Sequence, residues 1–227
     1  MSFLAAIFHI ISYKHLLCGD DMKNIRLVQR DYIIFNEIFR WKIITGKHIC
    51  NLTGFTGQRA CNQRLYKLKN AGFITRQKVL YGFPGIYKLT SKAKKLIAVP
   101  NYKEQIRLEQ VFHDSKVLDT AIYFHHKYHI PFSDIATEKQ LHSKDGFSNR
   151  KHRPDFIFSL DRKTNCVEVE LTPKSKQRLE KNVLENFQNY HLQYWIIPDF
   201  KTKIYTNLSE LQRGYPNIEI IELGEIN

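Results

Sequence analysis

The sequence lacks the features that mark several classes of protein. Its four cysteines form no C-x₂-C pair, and no histidine stands at a spacing that would complete a zinc site. Isolated thiols of this kind are typical of a reducing cytosol. Internal repeats and low-complexity tracts are absent, and hydrophobic residues make up 43% of the chain. We therefore expect a folded protein with an ample core, not a repeat array or a disordered tail.

Long hydrophobic runs are also lacking. The apolar segment Phe3–Ser12 spans about ten residues, whereas a helix that crosses a bilayer needs about 20. No positive region precedes this segment and no A-x-A-like cleavage site follows it, so it does not resemble a signal peptide. We interpret residues 1–22 as an apolar N-terminal extension. Either Met1 or Met22 could be the first residue of the translated protein. The expected location is the cytoplasm, with no membrane partner.

Acidic residues are scarce in one part of the chain. Residues 23–100 hold 16 Lys/Arg against 2 Asp/Glu, while residues 101–227 hold 18 of each. The net charge of +13 therefore comes almost entirely from about 80 residues. A block of one charge next to a neutral block predicts a polyanionic partner, and nucleic acid is the natural one.

The periodicity of the basic block predicts a DNA-binding module. Apolar residues recur at helical spacing, glycine and threonine separate the helices, and two strand-like runs surround a Gly/Pro tip. The predicted helices are Asp31–Ile44, Lys47–Leu52 and Gln58–Ala71, and the predicted strands are Phe73–Leu80 and Ile86–Thr90. Helix, helix, turn, helix and basic hairpin is the order of a winged helix-turn-helix, here expected over residues 23–100.

Two sets of side chains would contact double-stranded DNA. The third helix would present polar residues to the major groove, and the hairpin would bring cations to phosphates. The helix set is Arg59, Asn62, Gln63 and Lys67, and the hairpin set is Arg76, Lys78 and Lys88. A small helical domain with a basic face is the simpler alternative.

The sequence pattern of residues 101–227 predicts a second domain. It begins near Val99-Pro100-Asn101, where the excess of basic over acidic residues ends. The patterns indicate two helices and several strands, so the fold class is α/β (α+β), a mixed sheet flanked by helices. The predicted helices are Glu104–Tyr128 and Ser175–Tyr190; the predicted strands are Phe132–Leu141, Asp155–Leu160, Cys166–Leu171, Leu192–Ile197, Lys203–Thr206 and Asn217–Leu223.

Acidic residues on two of these strands suggest a metal site. Glu168 and Glu170 point to the same side of one strand, and Asp155 opens the strand before it. If the two strands pair as a hairpin, Asp155 lies close to Glu168 or Glu170, and converging carboxylates suit Mg²⁺ or Mn²⁺. Alternating glutamates are also ordinary on a half-exposed strand. After the strand, Lys174, Arg178 and Lys181 form a stripe that could hold DNA phosphates at a helix start.

The strings HRPDFIF and VEVELTPKS resemble the PD-(D/E)xK nuclease motif. The chain is more specifically similar, over roughly residues 27–200, to MobC-type plasmid relaxases and their replication-relaxation relatives. In that family a winged helix-turn-helix precedes a restriction-endonuclease-like domain. The resemblance implies a metal-dependent nick at a plasmid transfer origin, with an accessory mobilisation protein and a coupling protein as partners.

The resemblance also implies roles for individual residues. Asp155 matches the motif aspartate and Glu168 its second acid, while Glu170 stands where the motif has lysine. Lys174 could supply the missing positive charge, and Glu170 could be a third metal ligand. Glu109, or His113 with Asp114, could add a ligand from the first helix of the domain.

Two alternatives remain beside the nickase. His125, His126 and His129 suggest an HUH-type relaxase, but that site needs its histidines on a strand and these fall on a predicted helix. No nucleophilic tyrosine can be singled out among twelve, so water is the default nucleophile. A non-enzymatic regulator is the other alternative, with the first domain binding an operator and the second dimerising.

Overall fold

The computed structural model describes residues 25–101, 105–145 and 152–226. The expected N-terminal extension, residues 1–22, lies outside these ranges. Within them the fold is mixed α/β, with eight α-helices, a two-stranded sheet and a five-stranded sheet. No helix in the described ranges combines the length and the apolar character needed to cross a membrane.

The N-terminal module is helical with one hairpin. Its elements are α1 (Gln29–Arg40), α2 (Gly46–Leu52), α3 (Gln58–Asn70), β1 (Ile74–Gln77), β2 (Ile86–Leu89) and α4 (Ser91–Leu96). The order from α1 to β2 is the predicted one, and β1 and β2 pair antiparallel. The short helix α4 was not predicted.

The first helix ends four residues earlier than the pattern predicts. Trp41 leaves the helix in an extended conformation, and Ile43 and Ile44 then enter the core outside any helix. The carbonyl of Ile44 accepts a hydrogen bond from the Tyr87 amide at 2.9 Å, and Thr45 caps α2. Residues buried at consecutive positions fit a helix or an irregular segment equally well, so the sequence pattern does not define where α1 ends. The hydrogen bond between Ile44 and Tyr87 of β2 does.

The C-terminal module contains the larger sheet. Its elements are α5 (Val111–Tyr128), β3 (Ala136–Thr137), α6 (Glu138–Asp145), β4 (Phe156–Leu160), β5 (Lys163–Val169), α7 (Lys176–Asn189), β6 (Gln193–Ile197), α8 (Lys203–Gln212) and β7 (Ile218–Glu222). The strand order is β3-β4-β5-β6-β7; β3, β4 and β5 pair antiparallel, and β5, β6 and β7 pair parallel.

The sheet separates two layers of helices. On one face, Phe124 of α5 contacts the rings of Phe156, Phe158 and Tyr194. On the other face, residues of α7 and α8 pack around the buried Trp195. Strands β5 and β6 are therefore covered on both sides, although only β6 is a nearly continuous apolar run.

Three predicted elements of this module are wrong in type or extent. The segment Lys203–Thr206 begins α8 instead of forming a strand, because Thr202 caps the helix and Ile204 and Leu208 bury one helical face. The segment Phe132–Leu141 contains only the two-residue strand β3, and α6 follows immediately. The long first helix begins at Val111 and not at Glu104.

The two modules share one core. Val111 packs with Ile43 and Ile86 of the N-terminal module. The ring of Trp41 lies 5.6 Å from that of Phe132, and Arg40 donates to the Phe132 carbonyl at 3.0 Å. The expected boundary near residue 100 therefore separates two charge distributions, but the modules pack against each other through buried side chains.

Candidate nucleic-acid interface and acidic site

The outer face of α3 carries the side chains predicted to contact DNA. Cys61, Leu65 and Leu68 are buried beneath it. The outward residues line one shallow depression; they are Arg59, Asn62, Gln63, Tyr66 and Lys67. Tyr66, which is 65% exposed, adds an aromatic ring that the predicted contact set did not include.

The two acids of the described N-terminal module are both buried. Asp31 is fully buried and accepts hydrogen bonds from Arg64, which joins α1 to α3. Glu37 is 8% exposed and accepts from Arg40 at 2.8 Å and from the Trp41 indole at 3.0 Å. Burial, opposed by Arg40 and Trp41, raises the pKa of Glu37. The described surface of the module therefore carries exposed basic side chains and no exposed carboxylate.

The predicted hairpin cations have different surroundings. Arg76 and Lys78 are exposed, and the Lys78 ammonium lies 5.6 Å from the centre of the Tyr81 ring. Lys88 is half-buried and donates to the Lys42 carbonyl at 2.9 Å. Lys88 therefore bonds the segment after α1 within the same module, whereas Arg76 and Lys78 remain at the surface of the hairpin.

The basic stripe predicted at the start of α7 is divided. Arg178 and Lys181 are exposed on the helix, which begins at Lys176 with Ser175 as its cap. Lys174 precedes the helix and forms an ion pair with Glu170. Only Arg178 and Lys181 of the predicted stripe remain on the outer surface of α7.

The acidic site forms where β4 begins and β5 ends. The antiparallel register pairs Phe156 with Val167, which brings Asp155 beside the end of β5. Asp155 Oδ2 accepts from the Val169 amide at 2.7 Å. The predicted hairpin is thus confirmed, and Asp155 is bonded to the residue between Glu168 and Glu170.

His113 on α5 completes the contacts of Asp155. Its Nε2 atom lies 3.6 Å from Asp155 Oδ2 and donates to the Val169 carbonyl at 2.9 Å, while Nδ1 lies 3.3 Å from Asp114 Oδ1. Both ring nitrogens face acceptors, which is the environment of an imidazolium. Burial lowers the pKa of His113, but the contacts with Asp114 and Asp155 and the charges of these two carboxylates outweigh burial and raise that pKa to about 10.

Asp155 is correspondingly held in its ionised form. Burial alone would raise its pKa, but the hydrogen bond and charge of His113 outweigh burial, and the Val169 amide and the Lys174 charge act in the same direction. The net effect lowers the pKa of Asp155. Asp155 therefore lies against one cation, His113, and within the field of a second, Lys174.

Glu170 has the opposite electrostatic balance. Its side chain is 4% exposed and pairs with Lys174. Burial raises the pKa of Glu170, Lys174 opposes burial, and the charges of Glu168 and Asp155 raise the pKa further. These couplings place the three carboxylates within electrostatic range of one another.

Glu168 points into the α7 side of the sheet. Its Oε1 accepts from Asn186 at 3.0 Å and lies 2.5 Å from His152 Nε2. The backbone amide of His152 donates in turn to Glu185. Sequence reasoning missed His152 and Asn186 as partners; the available signals were a histidine two residues before Pro154-Asp155 and a polar residue on the inward face of α7.

The described residues include no group of three or more His, Cys, Asp or Glu arranged to hold a metal ion. In this region Lys174 pairs with Glu170, while His152 and Asn186 contact Glu168. Glu109, proposed as a ligand, is exposed in the turn before α5. The residue of that region which contacts Asp155 is His113.

The three alternative histidines lie at the far end of α5. His125 and His126 are within the helix, and His129 follows it in a left-handed conformation. The Nδ1 atom of His125 bonds the Ile130 carbonyl at 2.6 Å. These positions agree with the predicted helix and not with a strand that carries metal-binding histidines.

Comparisons with known proteins add little. No protein-family model matches the chain, and no curated protein does. Among solved structures, the chain is similar to that of a point mutant of ZitR from Lactococcus lactis, with 19% identity over 64% of this chain and 88% of that chain and a TM-score of 0.29. A similarity at this level supports no statement about function.

Proposed function

We propose that the protein binds double-stranded DNA through a winged helix-turn-helix formed by α1 to β2. The observation that carries this proposal is the outer face of α3, where Arg59, Asn62, Gln63 and Lys67 share one exposed depression. Arginine, asparagine and glutamine are the side chains that recognise base edges in the major groove, and cations bind phosphates. The burial of Asp31 and Glu37 removes the charges that would repel the DNA backbone.

We further propose that the C-terminal module is a restriction-endonuclease-like domain that nicks one DNA strand with Mg²⁺ or Mn²⁺. The supporting observation is that Asp155 bonds the Val169 amide at the end of β5, directly before Glu170, which pairs with Lys174. Two acids and a lysine at the end of a hairpin are the groups that the resemblance to the PD-(D/E)xK motif implies for phosphodiester hydrolysis. Here the lysine comes from the turn before α7, not from the strand.

The carboxylates fit a hard divalent cation in chemistry but are satisfied by protein groups in this arrangement. Asp155 and Glu170 would hold the ion. Glu168, which contacts His152 and Asn186, would add its negative charge to the site. Lys174 would have to leave Glu170 as the ion binds, which exchanges one cation for another beside the same carboxylate. The bound ion would polarise the phosphate and lower the pKa of a water molecule.

The chain's own residues suggest how charge and protons would be handled. Lys174, once released from Glu170, would bind an oxygen of the reacting phosphate. Glu170, whose pKa is raised by burial and by its acidic neighbours, would give up Lys174 and hold the ion, and the proton of the attacking water would pass to solvent. His113, with its pKa of about 10, stays protonated near neutral pH and would orient Asp155, not act as a base.

The biological setting of this proposal comes from the resemblance alone. The similarity to MobC-type relaxases suggests a plasmid transfer origin as the DNA target. It also suggests an accessory mobilisation protein and a coupling protein as partners. Each of these would be tested separately from the chemistry.

The experiment compares two matched substitutions on supercoiled plasmids that carry candidate transfer origins. Asp155→Asn removes the charge at the acidic site, and Asp134→Asn makes the same change at an exposed turn. With Mg²⁺ or Mn²⁺ we expect conversion to open circles by the wild type and by Asp134→Asn, and none by Asp155→Asn. Equal nicking by Asp155→Asn would refute the assignment, and a chelator should stop all nicking.

A second function is favoured by a specific observation. Glu168 and Glu170 are 4% and 3% exposed and are bonded to internal partners. Such an arrangement also suits a module that no longer cleaves, in a winged-helix DNA-binding regulator. Tight DNA binding, with no nicking by the wild type in either metal, would support the regulator.

A further inference from the structure

Lys42 of the N-terminal module reaches across to the C-terminal module. It lies in the segment that joins α1 to α2, and its ammonium is 2.6 Å from Glu138 Oε2. Glu138 begins α6, and its backbone amide donates to the Asp155 carbonyl at 2.9 Å. Glu138 therefore links the two modules at this point. Its side chain pairs with Lys42, and its backbone amide bonds Asp155 of the acidic site.

The electrostatics of Lys42 show that it is within range of that site. Partial burial lowers the pKa of Lys42, but the charge and hydrogen bond of Glu138 outweigh burial, and Asp114 and Asp155 add to the effect. The net pKa is raised. Lys42 therefore experiences the field of the same carboxylates that surround His113.

The position of Lys42 is fixed at its backbone while its side chain stays accessible. Lys88 donates to the Lys42 carbonyl at 2.9 Å, and Trp41 on its other side is buried. The Lys42 side chain is 43% exposed. Its ammonium can exchange Glu138 for another anion without displacement of the core.

We propose that Lys42 contacts a DNA phosphate beside the acidic site. The N-terminal module would then supply one of two cations that hold the DNA backbone there, and Lys174 of the C-terminal module would supply the other. Both lysines act on the charge of Asp155, and two such cations would hold a polyanion that the carboxylates alone would repel. This inference rests on the proposed function in one respect, that the acidic site faces DNA.

The test maps phosphate contacts on a duplex that the wild-type protein selects from a random library. Ethylation of a contacted phosphate weakens binding, so each contact appears as a sensitive position. We expect Lys42→Ala to lose sensitivity at one phosphate, and Lys42→Arg to keep it. Glu138→Gln removes the ion pair but leaves Lys42 in place, and Lys95→Ala removes an exposed lysine of α4; both should keep the full pattern.

Two outcomes overturn the proposal. Lys42→Ala could retain every sensitive phosphate, or Glu138→Gln could lose the same one, which would mean that the ion pair only holds the modules together. Nicking by the same variants gives an independent readout. At saturating protein we expect Lys42→Ala to nick at least about tenfold more slowly, with Glu138→Gln near the wild type. If the wild type nicks in no metal, the proposed nickase fails, whereas phosphate mapping still decides the role of Lys42.

Discussion

Replacement of His113 by glutamine should remove a component of stability that depends on pH. The folded protein holds the imidazolium between Asp114, Asp155 and the Val169 carbonyl, and its pKa is about 10 against an ordinary 6.5. At about 1.4 kcal/mol for each tenfold change, this difference corresponds to a ceiling of about 5 kcal/mol. Because the side chain is 33% exposed, solvent weakens the effect, and about 2–3 kcal/mol is the expected contribution.

The sign of the pH dependence follows from the raised pKa. The folded state binds the proton more tightly than the unfolded state, so the stabilisation is complete below pH 6.5 and is lost as pH rises toward 10. Urea unfolding from pH 6 to pH 10 would measure it. At pH 6 the free energy of unfolding of the wild type should exceed that of His113→Gln by about 2–3 kcal/mol. This difference should disappear as the pH approaches 10.

A matched control is available on the same helix. His126 is exposed near the end of α5, so His126→Gln should follow the wild type at every pH. A constant difference between the wild type and His113→Gln from pH 6 to pH 10 would refute the reasoning. It would mean that His113 stabilises the fold by packing and not by its charge.

Three further predictions concern stability, DNA binding and thiol reactivity. Arg64→Leu leaves Asp31 fully buried without its cation and should cost about 3–5 kcal/mol in urea unfolding, whereas Arg59→Leu on the exposed face of α3 should change stability by less than about 0.5 kcal/mol. Arg59→Ala and Lys67→Ala should each lower the slope of log binding constant against log salt by about 1 in fluorescence anisotropy. An unchanged slope in both would place the DNA on another surface. Burial raises the pKa of Cys61 to about 12, so a thiol reagent at pH 8 should label it only after unfolding, and rapid labelling of the native protein would contradict its burial.

The elements with strong local patterns could be predicted from the sequence. Helix α3 has buried residues at Cys61, Leu65 and Leu68, and strand β6 is a short apolar run; both agree with the structure within a residue or two. The segment that begins α8 was predicted as a strand because Ile204 and Tyr205 favour strands locally. Its helical face becomes visible only when Leu208 is seen to pack beside Ile204 in the same core.

The acidic site could be predicted only in part. Alternation in Val-Glu-Val-Glu identified Glu168 and Glu170 as neighbours, and hairpin pairing brought Asp155 to them. Whether each carboxylate meets a metal, a lysine or a histidine depends on helices distant in sequence. His113 and Asn186 reach the site from α5 and α7, and a local pattern shows at most that such a residue faces inward, not which carboxylate it contacts.

The sequence by itself determined the separation of charge along the chain, because the count of basic and acidic side chains does not depend on the fold. It also suggested that β4 pairs with β5, because a polar turn separates the two strands, and the structure confirms that hairpin. Only the tertiary structure decided that Asp31 and Glu37 are hidden, and that Lys42 and Lys174 approach the acidic site from different modules. Those contacts join residues far apart in the chain, and packing of the shared core brings them together.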